Sequence, residues 1–206
     1  VFYSVSIGMP TGIAALIVTL QPILTNALAG KFLGEDISFK QWIGVILGFV
    51  GAALVLGFDI GAGLPIIGVI ASFIALIAIT TSTLWQKKIS NNLPLSVSNM
   101  YQAIGGCFFH IIIIIIFTDP YINFTSTFLI AMSHQIFLVS FGAFTILMFL
   151  IKKNSASKTV SIFFLIPPTT ALMAWLFLNE MLTNLDLIGF VVATLGVYIA
   201  TRKNKV

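Results

Sequence analysis

Seven stretches of this chain are nearly free of charged residues, and each is long enough to cross a lipid bilayer. A membrane-spanning helix needs roughly 20 apolar residues, within a range of about 17–25. The windows are 11–33, 41–57, 65–86, 97–118, 128–151, 159–179 and 183–201. Residues 1–8 are also apolar, and we expect them to end one more helix before a turn at Met9 and Pro10.

The small number of ionisable groups makes the membrane the expected solvent. Only 8% of the residues are charged, whereas soluble proteins average about 25%. Short breaks that contain Gly, Pro, Asn or Asp separate the windows, as is typical of loops between helices. The sequence therefore predicts an all-α, polytopic helical bundle in a membrane, with seven complete spans and one partial span.

All ten basic residues fall in alternate loops, which puts them on one side of the predicted membrane. They are Lys31, Lys40, Lys87, Lys88, Lys152, Lys153, Lys158, Arg202, Lys203 and Lys205. The intervening loops carry only the acids Asp59, Asp119, Glu180 and Asp186. By the positive-inside rule the basic side is cytoplasmic, so we expect a cytoplasmic C-terminus. The net charge of +4 then reflects topology, and we expect no nucleic-acid partner.

A pattern near the start of the chain returns 145 positions later without a gap. Ten residues are identical at that spacing: Leu20, Pro22, Thr25, Ala29, Phe32, Leu33, Glu35, Ile43, Gly44 and Gly51 match Leu165, Pro167, Thr170, Ala174, Phe177, Leu178, Glu180, Ile188, Gly189 and Gly196. Both copies contain a proline within an apolar run, then leucine-X-glutamate, then an apolar run with glycines. A repeat at fixed spacing constrains the architecture of the whole chain.

The window 11–33 is the first of the seven and its copy, 159–179, is the sixth. Because they are five windows apart, an odd number, the copies should cross the membrane in opposite directions. Such inverted-topology repeats are typical of secondary transporters. At the same spacing, the counterpart of residues 65–158 would run from about position −80 to position 13, so most of it would precede Val1. We therefore expect roughly 80 further residues and about ten helices in the whole protein, with this chain starting inside an earlier helix and no signal peptide.

The two copies resemble the EamA-type ten-helix permeases of the drug/metabolite transporter superfamily. The resemblance rests on TGIAALIVTLQPILTNALAGKFLGEDISFKQWIGVILGFVGAALVL and SKTVSIFFLIPPTTALMAWLFLNEMLTNLDLIGFVVATLGVYIA. It implies five-helix inverted repeats, with residues 1–57 ending the first and 58–206 forming the second. It also implies a secondary transporter of small metabolites, amino acids or drugs in the bacterial inner membrane that works by alternating access, with export favoured.

Prolines near the middle of the matched spans are the first candidates for a site. A proline inside a helix lacks an N–H and costs about 3 kcal/mol. Pro22, Pro167 and Pro168 should therefore loosen the carbonyl groups of residues 18, 163 and 164. Loosened backbone at membrane depth is tolerated where it is buried or lines a wet cavity. The alternative is a kink that serves packing alone.

Polar and aromatic side chains near these prolines, together with those of the third complete span, are predicted to line a substrate cavity. The candidates are Thr19, Gln21, Pro22, Thr25, Thr81, Trp85, Gln86, Ser161, Phe164, Pro167 and Pro168. Gln21 is the strongest, because an amide next to a mid-span proline has few structural reasons to be there. For Trp85, a place in the interfacial aromatic belt is the alternative.

Two matched acids and two glycine-rich stripes have structural interpretations. Glu35 and Glu180 close matched helices near the interface, where we expect gating or loop anchoring rather than proton coupling. Small residues predict close helix packing, within one molecule or across a homodimer. They are Gly44, Gly48 and Gly51 in one copy and Gly189, Ala193 and Gly196 in the other.

Other classes of function are less well supported. An intramembrane enzyme needs a nucleophile, a carboxylate pair or a metal cluster, and Cys107 and His110 have no acidic partner at their depth. We predict no catalytic residues, metal or cofactor, and the chain lacks an ATP-binding G-x-x-x-x-G-K-[ST] loop. The expected partners are the lipid bilayer and a small-molecule substrate. A membrane assembly subunit without transport activity is the remaining alternative.

Overall fold

The computed structural model describes residues 1–57, 64–90, 93–117, 121–178 and 181–202, and every regular element in those ranges is helical. The α-helices are α1 (Phe2–Ser6), α2 (Thr11–Val18), α3 (Gln21–Leu33), α4 (Phe39–Leu56), α5 (Ile66–Ser90), α6 (Leu95–Phe117), α7 (Ser126–Ser133), α8 (Phe144–Lys153), α9 (Ala156–Ser161), α10 (Ile166–Leu178) and α11 (Asn184–Thr201). A π-helical segment, His134–Ala143, joins α7 to α8, and a 3-10 turn, Ile162–Leu165, joins α9 to α10.

Seven helical stretches in the described ranges are long and apolar enough to cross a membrane. They are Thr11–Leu33, Phe39–Leu56, Ile66–Ile89, Leu95–Ile116, Ser126–Lys153, Ala156–Phe177 and Asn184–Thr201. Each overlaps one window of the sequence, so the prediction of an all-α, polytopic bundle is confirmed. Some helices start earlier than their windows because polar residues begin them: Ser38 accepts the N–H of Gln41 at the start of α4, and Thr125 accepts that of Phe128 at the start of α7.

The chain forms two compact units, which do not follow the predicted repeat boundary after residue 57. Unit 1 comprises Val1–Trp85 and Ser155–Val206, and unit 2 comprises Gln86–Asn154. The division falls inside α5, one turn before its end. Unit 2 therefore holds the last turn of α5 together with α6, α7, the π-helical segment and α8. The repeat boundary itself stays a prediction.

In unit 1 the helix bounds recur at the 145-residue spacing found in the sequence. The starts of α2, α3 and α4 at residues 11, 21 and 39 correspond to the starts of α9, α10 and α11 at 156, 166 and 184. The ends of α3 and α4 at 33 and 56 correspond to those of α10 and α11 at 178 and 201. The two copies thus fold into the same series of helices, each broken just before its proline.

Helices α4 and α11 make the closest contact in unit 1, and they run antiparallel along it. An added Cβ on Gly44 would meet Ala200, whereas one on Gly51 would meet Ala193 and Gly189. Partner numbers therefore fall as residue numbers rise. Opposite orientation is shown for this helix pair, while an inverted repeat over whole five-helix units stays a prediction.

The apolar core of unit 1 has two clusters. One joins α2 to α5 through Ile13, Ala14, Ile17 and Leu76, with Met9 beside them. The other lies between α4, α11 and the 3-10 turn, and its buried members are Val45, Ala52, Phe164, Val197 and Ala200. These two clusters hold the helices that surround the candidate site.

Large apolar side chains stay exposed on much of the surface. In α6 of unit 2, the six residues Ile111–Ile116 are 36–74% exposed. An apolar face of this extent is unfavourable in water and is typical of a surface that meets lipid or another protein.

Candidate functional site

Unit 1 contains a cavity of about 980 Å³ beside the two points where the repeated helices break. Its lining residues are Val1, Pro10, Thr11, Gly12, Ile13, Ala15, Val18, Thr19, Gln21, Pro22, Val55, Leu56, Ile79, Phe163, Ile166, Pro167, Thr170, Ala171 and Ala174. The cavity extends from the level of Gln21 and Pro22 to the start of α2 at Thr11 and the end of α4 at Leu56. We call this end of unit 1 the distal end.

The breaks that border the cavity follow from the prolines. Between α2 and α3, the N–H of Leu20 bonds to the carbonyl of Ile17 at 3.1 Å, three residues back instead of four. The corresponding break in the second copy is the 3-10 turn before Pro167. In both copies the residue four before the first proline, Val18 or Phe163, lines the cavity. Loosened backbone therefore lies at the wall of the cavity in both copies.

Four of the predicted cavity residues line this cavity: Thr19, Gln21, Pro22 and Pro167. The other candidates of the two copies, namely Thr25, Ser161, Phe164 and Pro168, are buried and do not line it. Phe164 instead packs on Gly48, where an added Cβ would lie 2.5 Å from its ring.

The candidates of the third complete span lie elsewhere. Thr81 and Trp85 are exposed, and Trp85 keeps 63% of its surface accessible. Gln86 belongs to unit 2, where its amide donates to Ser98 Oγ at 3.0 Å and accepts from Gln102. The structure therefore does not bring these three residues to the cavity.

Gln21 is fixed in place at the cavity wall by the helix behind it. Its Nε2 donates to Thr83 Oγ1 at 3.1 Å, and Thr83 Oγ1 donates in turn to the carbonyl of Ile79 at 2.8 Å. Gln21 is only 2% exposed, although it lines the cavity. The sequence indicated Gln21 but not its hydrogen bond to Thr83, because Thr83 lies 62 residues away in α5.

A buried polar cluster closes the end of unit 1 opposite the cavity. Gln41 Nε2 donates to Asn26 Oδ1 at 3.0 Å and also contacts Ser157 Oγ, which bonds to Asn26 Oδ1. All three residues are at most 3% exposed. Because Lys31, Lys40, Lys158 and Arg202 belong to the helix ends that meet around this cluster, we call this the basic end. The lining residues of the cavity do not reach it.

Glu35 ties the two copies together at the basic end. Its carboxylate accepts the backbone N–H of Ala156 at 2.6 Å and that of Ser157 at 3.2 Å. An acid at the first turn of a helix is stabilised by the free N–H groups and by the helix dipole. The matched acid, Glu180, lies outside the described residues.

The cavity and the polar cluster occupy corresponding positions of the two copies. Gly12, Thr170, Ala171 and Ala174 line the cavity. Their counterparts at the 145-residue spacing are Ser157, Thr25, Asn26 and Ala29, all of which are buried at the basic end. Equivalent positions of the two copies thus line a cavity at the distal end and are packed together at the basic end.

The small-residue contact between α4 and α11 is symmetric with respect to the two copies. An added Cβ on Gly44 would lie 2.7 Å from the carbonyl oxygen of Gly196, and one on Gly51 would lie 2.7 Å from that of Gly189. The reciprocal values for Gly189 and Gly196 are 2.7 and 2.8 Å. The six residues predicted for helix packing, including Gly48 and Ala193, all lie in this intramolecular contact.

Cys107 and His110 belong to unit 2 and are not among the residues that line the cavity. Cys107 is exposed, and His110 Nδ1 is 2.7 Å from the carbonyl oxygen of Gly106 in its own helix. Among the described residues, no three His, Cys, Asp or Glu side chains lie close enough to hold a metal ion.

Several cavity residues escaped the sequence analysis. Thr11, Gly12, Ala171 and Ala174 are small, and Val55, Leu56 and Ile79 are ordinary apolar residues of a membrane helix. The repeat did carry a signal for one of them, since Thr170 is the counterpart of the candidate Thr25. The cluster of Asn26, Gln41 and Ser157 carried none, because its members come from three different helices.

A comparison with known protein families decides the family. The EamA-like transporter family matches residues 1–57 and 66–202. The chain belongs to the EamA-like transporter family. It is thereby a member of the drug/metabolite transporter superfamily and a multi-pass membrane protein.

Individual relatives of this EamA-like chain cover nearly all of it. The "Uncharacterized transporter YvbV" of Bacillus subtilis is 29% identical over 96% of the chain, which spans 65% of that protein's length. The "Probable amino-acid metabolite efflux pump" of Salmonella typhimurium is 22% identical over 96% of this chain, and the match spans 70% of the pump's length. One crystal structure shares the fold, with a TM-score of 0.80 at 18% identity over 97% of this chain and 69% of that one.

Proposed function

We propose that the whole protein is a secondary transporter that moves small metabolites, amino acids or drugs across the bacterial inner membrane, with export favoured. One observation carries the proposal: matched positions of the two copies line a cavity at the distal end and are packed at the basic end. Membership of the EamA-like transporter family supports it.

Alternating access follows if the two copies exchange their arrangements. In the exchanged state the positions of Ser157, Thr25 and Asn26 would separate, and a cavity would form at the basic end. The positions of Gly12 and Ala171 would approach each other and close the distal end. Two states of similar energy are plausible because the copies share their helix bounds, and transporters built from inverted repeats rock about a central site in this way.

Glu35 is the proposed latch of the basic end. Its two bonds to backbone N–H groups join the end of α3 to the start of α9. Both bonds must break before these helices can separate. We propose the matching role for Glu180 at the distal end, from its position in the repeat alone.

The orientation of the proposed transporter comes from its charges. By the positive-inside rule the basic end faces the cytoplasm, so the described state presents its cavity to the outside. A cavity of about 980 Å³ is at the upper limit of the range usual for small-molecule sites. The name of the Salmonella relative suggests amino-acid metabolites as the first substrates to test.

Flux measurements on the complete protein in proteoliposomes test the proposal. We expect uptake of a labelled substrate from a panel of amino acids, metabolites and drugs in the absence of ATP, driven by its own gradient or by an ion gradient. Liposomes that carry an unrelated helical membrane protein are the control. Flux that requires ATP, or no flux across the panel, would contradict the proposal, and the second result would favour an assembly subunit.

A further inference from the structure

We infer that the inner part of the cavity binds ligands that donate an N–H hydrogen bond to Oε1 of Gln21, with a protonated amine on an apolar body as the best fit. The inference rests on the proposed function, which makes this cavity the substrate site. It goes further by naming the chemical group that the ligand must present.

The hydroxyl of Thr83 sets the direction of the Gln21 amide. Thr83 Oγ1 gives its proton to the carbonyl of Ile79, so towards Gln21 it acts as an acceptor. An amide meets an acceptor with its NH₂ group, which places Nε2 against Thr83. Oε1 of Gln21 is therefore the end of the amide left for a ligand, and it accepts no hydrogen bond from the described part of the chain.

The neighbouring polar side chains of the cavity offer acceptors as well. Thr19 Oγ1 donates to the carbonyl of Ala15 at 2.7 Å, and Thr170 Oγ1 donates to that of Ile166 at 2.8 Å. Each hydroxyl has a single proton, so both oxygens keep lone pairs that can accept from a ligand. Together with Gln21, they give the cavity lining three side-chain acceptors.

The side chains of the remaining wall carry no positive charge that would oppose a cation. None of the lining residues is Lys, Arg or His, and most are apolar. The free N–H groups at the start of α2 lie eight residues before Thr19 along the helix, or roughly 12 Å away by helical rise. An ammonium group at Gln21 would thus meet the acceptor oxygen of that amide in a lining with no cationic side chain.

Binding of two matched probes to the complete protein in nanodiscs separates donation from charge. The first probe is 2-phenylethylamine at a pH where it is protonated, and the second is its N,N,N-trimethyl analogue, which keeps the charge but has no N–H. We expect the trimethyl analogue to bind about tenfold more weakly or worse, which corresponds to the loss of one hydrogen bond. Equal affinities would overturn the inference, as would no measurable binding of the amine.

Two variants test whether Gln21 and Thr83 produce this selectivity. Gln21→Met removes the acceptor, and Thr83→Val, which changes a residue outside the cavity lining, frees the amide to turn its NH₂ group towards the ligand. Both should bring the affinity ratio of the two probes close to one. Thr194→Val is the matched control: its hydroxyl also donates to a carbonyl in its own helix but lies outside the cavity lining, and it should keep the wild-type ratio. An unchanged ratio in both Gln21→Met and Thr83→Val would refute the assignment.

Flux separates this inference from the proposed function. Selective binding of the amine without flux of any substrate would leave the ligand site standing and remove the transport role. Flux of substrates that lack N–H donors, with equal affinity for both probes, would leave transport standing and remove the inference.

Discussion

Among single residues, Glu35 makes the contact that most directly joins the two copies. Its carboxylate lies across the start of α9 and holds two backbone N–H groups that have no partner within the helix. Hydrogen bonds to a charged group are stronger than neutral ones, at about 1.5–3 kcal/mol each. Because Glu35 is half-buried, water weakens these bonds only in part.

Glu35→Gln should destabilise the basic end, since the amide lacks the charge and can accept through one oxygen only. We expect a loss of about 1–2 kcal/mol in the free energy of unfolding, taken from the value of charged hydrogen bonds. A cysteine introduced at the buried Ala29, in a Cys107→Ser background, should react faster with a water-soluble maleimide. Asp36→Asn, the same change at the next residue, is the control and should leave this rate unchanged. Equal rates in both variants would contradict the latch.

Burial of polar residues could be predicted from the sequence, but the side towards which each one faces could not. Thr19, Gln21 and Thr25 stand close together in an apolar helix, and any of them could face a cavity or a neighbouring helix. Gln21 lines the cavity because α5 places Thr83 behind it, whereas Thr25 packs in the closed part of unit 1. Such choices depend on helices that are distant in the chain, and a helix that is apolar on all sides shows no polar face to reveal them.

Among the helices, the paired breaks before Pro22 and Pro167 shape the site. A break in one helix bends it, and two matched breaks open the space between the two copies. The sequence located both breaks, because a proline removes a hydrogen bond wherever it stands in a helix.

Pro22→Ala should restore an N–H for the carbonyl of Val18 and allow α2 to run into α3. We expect a higher melting temperature together with flux lowered by about tenfold, because a continuous helix favours one arrangement over the other. Pro94→Ala, at an exposed proline just before α6, is the control for removing a proline outside a span. Wild-type flux in Pro22→Ala would show that the break serves packing alone.

Gly44→Ala should weaken the contact between α4 and α11. Its new methyl group would lie 2.7 Å from the carbonyl oxygen of Gly196 and 2.8 Å from Cα of Ala200, and backbone atoms of a packed helix cannot move aside. Overpacking of this kind costs about 1–3 kcal/mol, which we expect to measure as a lower free energy of unfolding.

Gly105→Ala is the matched control for Gly44→Ala. Nothing lies within 4 Å of a Cβ at Gly105, which also stands inside a helix. This change should therefore stabilise the protein by up to about 1 kcal/mol through helix propensity. Destabilisation of the same size in both variants would show that the tight contact is not the cause.

For helices, the sequence was a good guide to number and position. Seven apolar windows became seven spans, because bilayer thickness sets helix length and hydropathy reports it directly. The π-helical segment His134–Ala143 was not predicted, since it has the same apolar composition as the α-helices on either side.

In the whole molecule, the two ends of unit 1 differ although the matched helices of the two copies start at equivalent positions. The matched positions are packed at the basic end and line a cavity at the distal end. Pattern matching revealed the repeat. It could not show that one end is packed while the other has a cavity, because that difference depends on the three-dimensional arrangement.

A disulfide across the closed end should stop the proposed exchange. Asn26 and Ser157 touch through their side chains, so Asn26→Cys and Ser157→Cys, combined with Cys107→Ser, should form a bond under oxidation. We expect flux to fall to the level of empty liposomes and to return on reduction. The Cys107→Ser protein without the cysteine pair is the control, and its flux should not change on oxidation. Full flux in the cross-linked protein would exclude opening at this end.

The glycine contact between α4 and α11 has a mechanical consequence. With backbone resting on backbone at three successive levels, neither helix can slide past the other by even one residue, about 1.5 Å, without driving a side chain into the opposite chain. In the proposed exchange between the two arrangements, this helix pair would therefore keep its register while the other helices of unit 1 move around it.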